Sequence, residues 1–247
     1  MRTETFVLDT RYPDCTLTTY IHDPHAELNI ATRRAIIVCP GGGYQFLSER
    51  EAEPVALQYF AAGLNVFILR YSVQEKALND APLIESALAV KHIRENADRY
   101  FVDPDYIFIT GFSAGGHCAA MCGTLWNHPV VREALGIDRG EAPEGINRPT
   151  ATVLCYPVIT ANPFAHRGSI DTLCGYPSED TDGAYHFSVE LHVDKTTAPA
   201  FIWHTAADAG VSVLGSYNYA AKLKSLGIPV EMHIFPFGAH GLGTGKV

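Results

Sequence analysis

Basic residues are scarce in this chain of 247 residues: 18 Lys and Arg stand against 27 Asp and Glu, a formal net charge of −9. So acidic a surface repels phosphate backbones and anionic lipid headgroups at long range, which disfavours nucleic acid and a membrane surface as partners. Long apolar runs are absent, and none approaches the roughly 20 residues that cross a bilayer. The opening stretch from Met1 to Asp9 has no apolar segment followed by a small-residue cleavage site, so no export signal is expected and a cytoplasmic setting is. In that setting the six cysteines, at 15, 39, 118, 122, 155 and 174, are expected as free thiols. Cys118 and Cys122, four apart on an expected helix, read as one buried face. No Cys/His set has zinc spacing and there is no EF-hand loop. A Gly-Lys-Ser/Thr phosphate-loop ending and a G-x-G-x-x-G run are missing too, so neither metal nor cofactor is expected. There is no internal repeat, low-complexity tract or linker.

What is present suits one folded domain. Hydrophobic residues make up 47% and charged residues 18%, enough to bury a sizeable core. Strand-like and helix-like stretches alternate, which predicts an α/β architecture with a mostly parallel sheet covered on both faces. Residues 4–9 and 15–22 read as an opening antiparallel pair. The short apolar run Arg34–Cys39 reads as a strand buried on both faces, and Asn65–Arg70, Tyr106–Thr110, Thr150–Tyr156, Ala200–His204 and Val230–Phe235 read as further strands. Helices are expected over Glu51–Ala62, Asp80–Arg99, 114–125 and Ser212–Leu226. Residues 127–149, polar and rich in Gly and Pro, read as a surface loop. Residues 158–198 lie between two core strands without a strong period. So long a connection is usually functional, and it is read as a small cap whose Tyr176, Tyr185, His186 and Phe187 are candidate pocket residues.

The strongest local signal is Gly111-Phe112-Ser113-Ala114-Gly115, which fits the nucleophile-elbow pattern G-x-S-x-G between a strand and a helix. A serine hydroxyl needs a base, and that base needs an orienting carboxylate. Of eleven histidines, His22 and His25 precede the core, His92 and His117 sit on helices, and His233 lies in a strand. His240 follows the last strand in a glycine-flanked loop, the place from which a ring can reach the serine. Asp208, four residues beyond the Ala200–His204 strand, is the expected acid. Its rival Asp194 precedes that strand. Donors for an oxyanion are expected from the backbone N–H groups of Ala114, Gly42 and Gly43, the last two in the Pro40-Gly-Gly-Gly-Tyr44 loop. Tyr44 is a candidate substrate contact.

Taken together, Cys39-Pro-Gly-Gly-Gly-Tyr44, Leu47-Ser48, Glu53-Pro-Val55, Leu69-Arg-Tyr-Ser72, Gly111-Phe-Ser-Ala-Gly-Gly-His117, Tyr156-Pro-Val-Ile-Thr160, Trp203-His-Thr205 and Gly238-Ala-His-Gly-Leu242 resemble the acetylxylan-esterase-like branch of α/β hydrolases. That branch includes bifunctional feruloyl and acetylxylan esterases. The resemblance runs from about residue 35 to 242. It implies an α/β-hydrolase sheet, a Ser113–Asp208–His240 triad, and hydrolysis of short acyl esters, acetyl groups on sugars or xylo-oligosaccharides first. The expected partner is thus a small-molecule ester or an acetylated oligosaccharide. Where family members often read Thr-Ala-Asp-Asp and then Val-Pro, this chain has Thr205-Ala-Ala-Asp208 and then Val211-Ser212. Relatives also continue into a last helix beyond the position of Val247. Without it apolar surface is expected to be exposed, covered by another segment or by a partner subunit in a homo-oligomer. A peptidase or amidase would use the same triad, but neither a propeller domain nor a large cap is visible. A non-catalytic binding module sits poorly with the intact Ser, Asp, His and glycine loop.

Overall fold

The computed structural model describes residues 1–161, 164–179 and 182–245. Eight strands form one sheet: β1 (Arg2–Asp9), β2 (Tyr12–Ile21), β3 (Arg33–Cys39), β4 (Asn65–Arg70), β5 (Val102–Phe112), β6 (Ala151–Cys155), β7 (Ala200–Thr205) and β8 (Val230–Phe235). Their spatial order is β1-β2-β4-β3-β5-β6-β7-β8. The β1/β2 and β2/β4 pairings are antiparallel, and every pairing from β4 to β8 is parallel. This is the expected α/β-hydrolase sheet. The helices are α1 (Glu53–Ala61), α2 (Ala81–Glu95), α3 (Ala97–Tyr100), α4 (Ala114–Leu125), α5 (Pro129–Ala134), α6 (Arg167–Cys174), α7 (Asp182–His186) and α8 (Val213–Ser225).

The continuous apolar runs of the central strands are explained by burial on both faces. In β3, Ile37 joins the core under α2 and α4, while Ile36 and Val38 join the core under α1. Phe67 and Leu69 of β4 alternate with Val66 and Ile68 in the same way. Helix α4 is buried along its whole length. Cover is thinner at the β8 side, where Phe201, Trp203, Phe235 and Leu242 line an apolar groove of about 470 Å³ and Phe235 and Phe237 are exposed. All six cysteines are free. Among the described residues, no helix is long and apolar enough to cross a membrane.

Two stretches, Asp80–Arg99 and 127–149, differ from the sequence-based expectation. The helix expected over Asp80–Arg99 breaks at Asn96, whose side-chain amide donates to the carbonyl of His92 at 2.8 Å and competes with the helical ladder. The expected surface loop 127–149 instead holds α5 and buries Val131, Leu135, Ile137 and Asn147, the last donating to the carbonyl of Trp126 at 2.7 Å. The segment 158–198 carries α6 and α7 and sends Ile159, Ile170, Leu173, Phe187 and Val189 into the main core. The expectations at 162–163 and 180–181 lie outside the described residues.

One buried carboxyl generates a prediction about stability. Glu85 of α2 is fully buried and accepts from the Ser72 N–H at 2.7 Å and from the Ser72 hydroxyl. Burial outweighs those donors and pushes its carboxyl from 4.5 up to about 7. A raised carboxyl means that the folded state holds its proton more tightly than the unfolded chain does. Its contribution is therefore present below about pH 4.5 and lost as pH rises through about 7. Glu85→Gln is expected to gain Tm relative to wild type as pH rises across that window. Melting curves whose difference does not change with pH would refute this.

Candidate active site

Ser113 stands on the turn between β5 and α4 with φ 54° and ψ −119°, a backbone conformation that a non-glycine residue adopts only under strain. The turn is locked from both sides. The Ser113 N–H donates to the carbonyl of Cys155 at 3.0 Å, and its own carbonyl accepts from the N–H groups of His117 and Val158 at 3.1 Å. The flanking glycines are a steric requirement. A Cβ on Gly111 would lie 1.9 Å from the carbonyl oxygen of Gly115, and a Cβ on Gly115 would lie 2.1 Å from that of Cys39.

The loop after β8 brings His240 to the serine. Its Nε2 lies 2.8 Å from Ser113 Oγ and its Nδ1 lies 2.7 Å from Asp208 Oδ2. Tyr156 packs edge-on against the imidazole at 5.2 Å between centroids. Asp208 follows β7, with its side chain only 1% exposed. Four donors converge on it. The N–H groups of Gly210 and Val211 reach Oδ1 at 2.8 and 2.9 Å, and His240 and His204 reach Oδ2 at 2.7 and 3.2 Å. Burial opposes its charge, but the Val211, His240 and Gly210 donors prevail and hold the carboxyl below its ordinary value. His204 is wholly buried, and burial pulls its pKa down, so it is neutral. Its Nε2 lies 3.2 Å from both Asp208 Oδ2 and the Val211 carbonyl. Both are acceptors, which assigns the ring proton to Nε2 and leaves Nδ1 to accept from the Ser216 hydroxyl at 2.8 Å.

The glycine loop after β3 folds beside the serine. The carbonyl of Gly42 accepts from Gln45 and Phe46, and Gly42 has φ 128° with Phe46 O where a Cβ would stand. Within the described residues the N–H groups of Gly42, Gly43 and Ala114 meet no acceptor. The loop is anchored by a residue that the sequence did not single out. Glu51 is buried; it accepts the Gly41 N–H at 3.0 Å and the Tyr156 hydroxyl at 2.8 Å. The same hydroxyl accepts the Gly243 N–H at 2.7 Å. Tyr44, expected to touch substrate, does not reach the cleft. Its φ of 61° turns the side chain inward, where it is fully buried with its hydroxyl 2.8 Å from His117 Nδ1.

Ser113, His240, Gly42 and Gly43 line a cleft of about 480 Å³ together with Phe46 and His166. His166 was hidden among eleven histidines in a stretch without periodicity. Its Nδ1 lies 2.8 Å from Ser169 Oγ, and burial lowers its pKa, so a neutral ring faces the cleft. Of the four aromatic and histidine candidates in the 158–198 segment, Tyr176 lines the neighbouring cavity, His186 pairs with Asp80 at 2.6 Å, Phe187 is in the core and Tyr185 is half-exposed. Among the described residues no group of three His, Cys, Asp or Glu is placed to hold a metal ion.

With this geometry in hand, known proteins can be compared. The BD-FAE family profile matches residues 22–223. Endo-1,4-beta-xylanase B of Butyrivibrio fibrisolvens is 35% identical over 226 residues, covering 90% of this chain and 34% of the relative. An acetylxylan esterase of Xylanibacter ruminicola is 27% identical over 86% of this chain and 42% of its own length. The chain thus spans between a third and a half of these two relatives. The crystal structure of an acetyl ester-xyloside bifunctional hydrolase from Caldicellulosiruptor lactoaceticus superposes with a TM-score of 0.80 at 37% identity, covering 94% of this chain and 81% of that one. Profile, identity and superposition agree over most of the sequence, and the chain is an α/β hydrolase belonging to the BD-FAE family.

Proposed function

We propose that this chain is a serine carboxylesterase that removes short acyl groups, acetyl above all, from sugar or xylo-oligosaccharide esters. One observation carries the reading: the unbroken chain of hydrogen bonds from Ser113 Oγ through His240 to Asp208, at 2.8 and 2.7 Å, on the wall of an open cleft. The sugar-ester substrate draws support from relatives named for acetylxylan and acetyl ester-xyloside hydrolysis.

The geometry supports the following roles. The Asp208 carboxylate accepts the Nδ1 proton of His240, which leaves the Nε2 lone pair facing the serine hydroxyl. Ser113 Oγ attacks the ester carbonyl as His240 takes its proton, and His240 then passes that proton to the departing alcohol. Asp208 stabilises the imidazolium formed in between. The carbonyl oxygen, now negative, turns toward the N–H groups of Ala114, Gly42 and Gly43, which hold no competing partner. Water repeats the cycle on the acyl-serine. The 158–198 segment acts as a small cap within the single domain, contributing His166 and Gly168 to the cleft wall.

Turnover of p-nitrophenyl acetate, butyrate and octanoate by wild type and Ser113→Ala tests the reading. Acetate is expected to be fastest, with a loss on the order of 10³-fold or more in the variant. Equal, slow rates for both proteins on all three esters would sink it. Asp208→Asn is a sharper probe. An amide NH₂ in place of one carboxylate oxygen would meet donors on every side and favour the wrong His240 tautomer. A fall in kcat on the order of 10⁴-fold is expected, with KM little changed. A loss of tenfold or less would show that Asp208 does not set the tautomer.

A further inference from the structure

Beside the catalytic cleft lies a second, larger cavity of about 620 Å³ that the reaction does not use. Gln45 and Gly168 line both, so the two cavities lie side by side. Its volume falls in the range of about 300–1,000 Å³ that small-molecule sites occupy.

The lining sets the chemistry of the occupant. Gln45, Gln74, Glu75 and Asp171 line it, together with Leu78, Pro177 and Tyr176, which is 45% exposed. The rim is built. Gln74 Nε2 donates to the carbonyl of Gln45 at 3.1 Å, Gln45 Nε2 donates to the Thr172 hydroxyl, and that hydroxyl donates to the Gly168 carbonyl at 2.8 Å. Asp171 Oδ1 is fixed by the Ser178 N–H at 2.8 Å. Gly175, at φ 76°, ends α6 so closely over Leu78 that a Cβ would lie 2.8 Å from its side chain. This turn sets Tyr176 against the Gln74–Leu78 wall.

No Lys or Arg lines the cavity, and two carboxylates do. An anionic ligand is thereby disfavoured. A long alkyl or aromatic acyl group would suit Leu78, Pro177 and Tyr176 but would give no hydrogen bonds to the two glutamines and two acidic residues of the lining. A neutral sugar ring meets both demands: its hydroxyls serve the amides and carboxylates, and its C–H face lies on the phenol of Tyr176. We infer that this cavity is a subsite for an unacetylated sugar ring of a neutral oligosaccharide, with Tyr176 as its platform. This rests on the esterase reading above and adds that the substrate is at least two rings long.

The test separates the two claims. Titration calorimetry of xylotriose against Ser113→Ala reads the subsite without turnover, and p-nitrophenyl acetate reads the chemistry without the subsite. Xylotriose is expected to bind Ser113→Ala, with affinity about tenfold weaker once Tyr176→Ala is added and nearly restored by Tyr176→Phe. With acetylated xylotriose, Tyr176→Ala in the otherwise wild-type chain is expected to raise KM about tenfold while kcat and p-nitrophenyl acetate turnover stay within about twofold. No xylotriose binding, or binding indifferent to Tyr176→Ala, overturns the subsite even if acetate esters are hydrolysed. A Tyr176→Ala loss confined to feruloyl esters also overturns it, because the cavity would then hold the acyl group.

Discussion

The constraint on which the rest depends is the close approach at Gly115, where a Cβ would lie 2.1 Å from the carbonyl oxygen of Cys39 and 2.3 Å from that of Pro40. It sets how near helix α4 lies to the end of strand β3, and so how sharply the chain must turn at Ser113. A strained non-glycine residue costs on the order of 1–3 kcal/mol. Twelve buried residues of α4 and the hydrogen bonds to Cys155, His117 and Val158 offset that cost. The glycine loop departs from the same strand end. A side chain at 115 would therefore disturb the nucleophile and the neighbouring donors together.

A second layer ties the loops to one another. Glu51 accepts from Gly41 at the glycine loop and from Tyr156, which accepts in turn from Gly243 beyond His240. Three loops that are distant in sequence share one buried carboxylate and one phenol. Tyr156 also packs on the imidazole, so the hydrogen bond that fixes the loop fixes the ring beside it. Around this centre most of the cleft wall comes from the loop between Gly42 and Glu51, and a separate stretch, 158–198, adds His166 and Gly168 there and Tyr176 farther out. In the proposed function, chemistry and part of the substrate reading would rest on different parts of the chain.

What was legible in the sequence was local and crowded. Strands β3 to β7 announced themselves as apolar runs closed by glycine or polar residues, because both their faces are buried. The elbow was legible because the steric demand at Gly111 and Gly115 leaves no choice of residue. His240 and Asp208 were legible through chain order. What stayed hidden depends on partners far along the chain or on competition within a few residues. The amide of Asn96 ends α2 by a bond that periodicity does not register. Tyr44 follows three glycines and reads as a substrate contact, yet its positive φ swings it into the core against His117. Glu51 read only as the start of the helix expected over Glu51–Ala62 and gains its role from Gly41 and Tyr156, and His166 gains meaning only from its place across the cleft.

The surroundings of Asp208 have a consequence for the traffic of hydrogen nuclei. A carboxylate offers about four lone-pair directions, and here all are taken, two by backbone N–H groups and two by histidine rings. There is no vacant berth on which a proton could alight. In the proposed reaction the aspartate is then a fixed negative pole, and the shuttle has two stations, Ser113 and His240, rather than three. On that reading only a single nucleus would move between heavy atoms in the bond-making step, and the charge it leaves behind would be met by dipoles already in place.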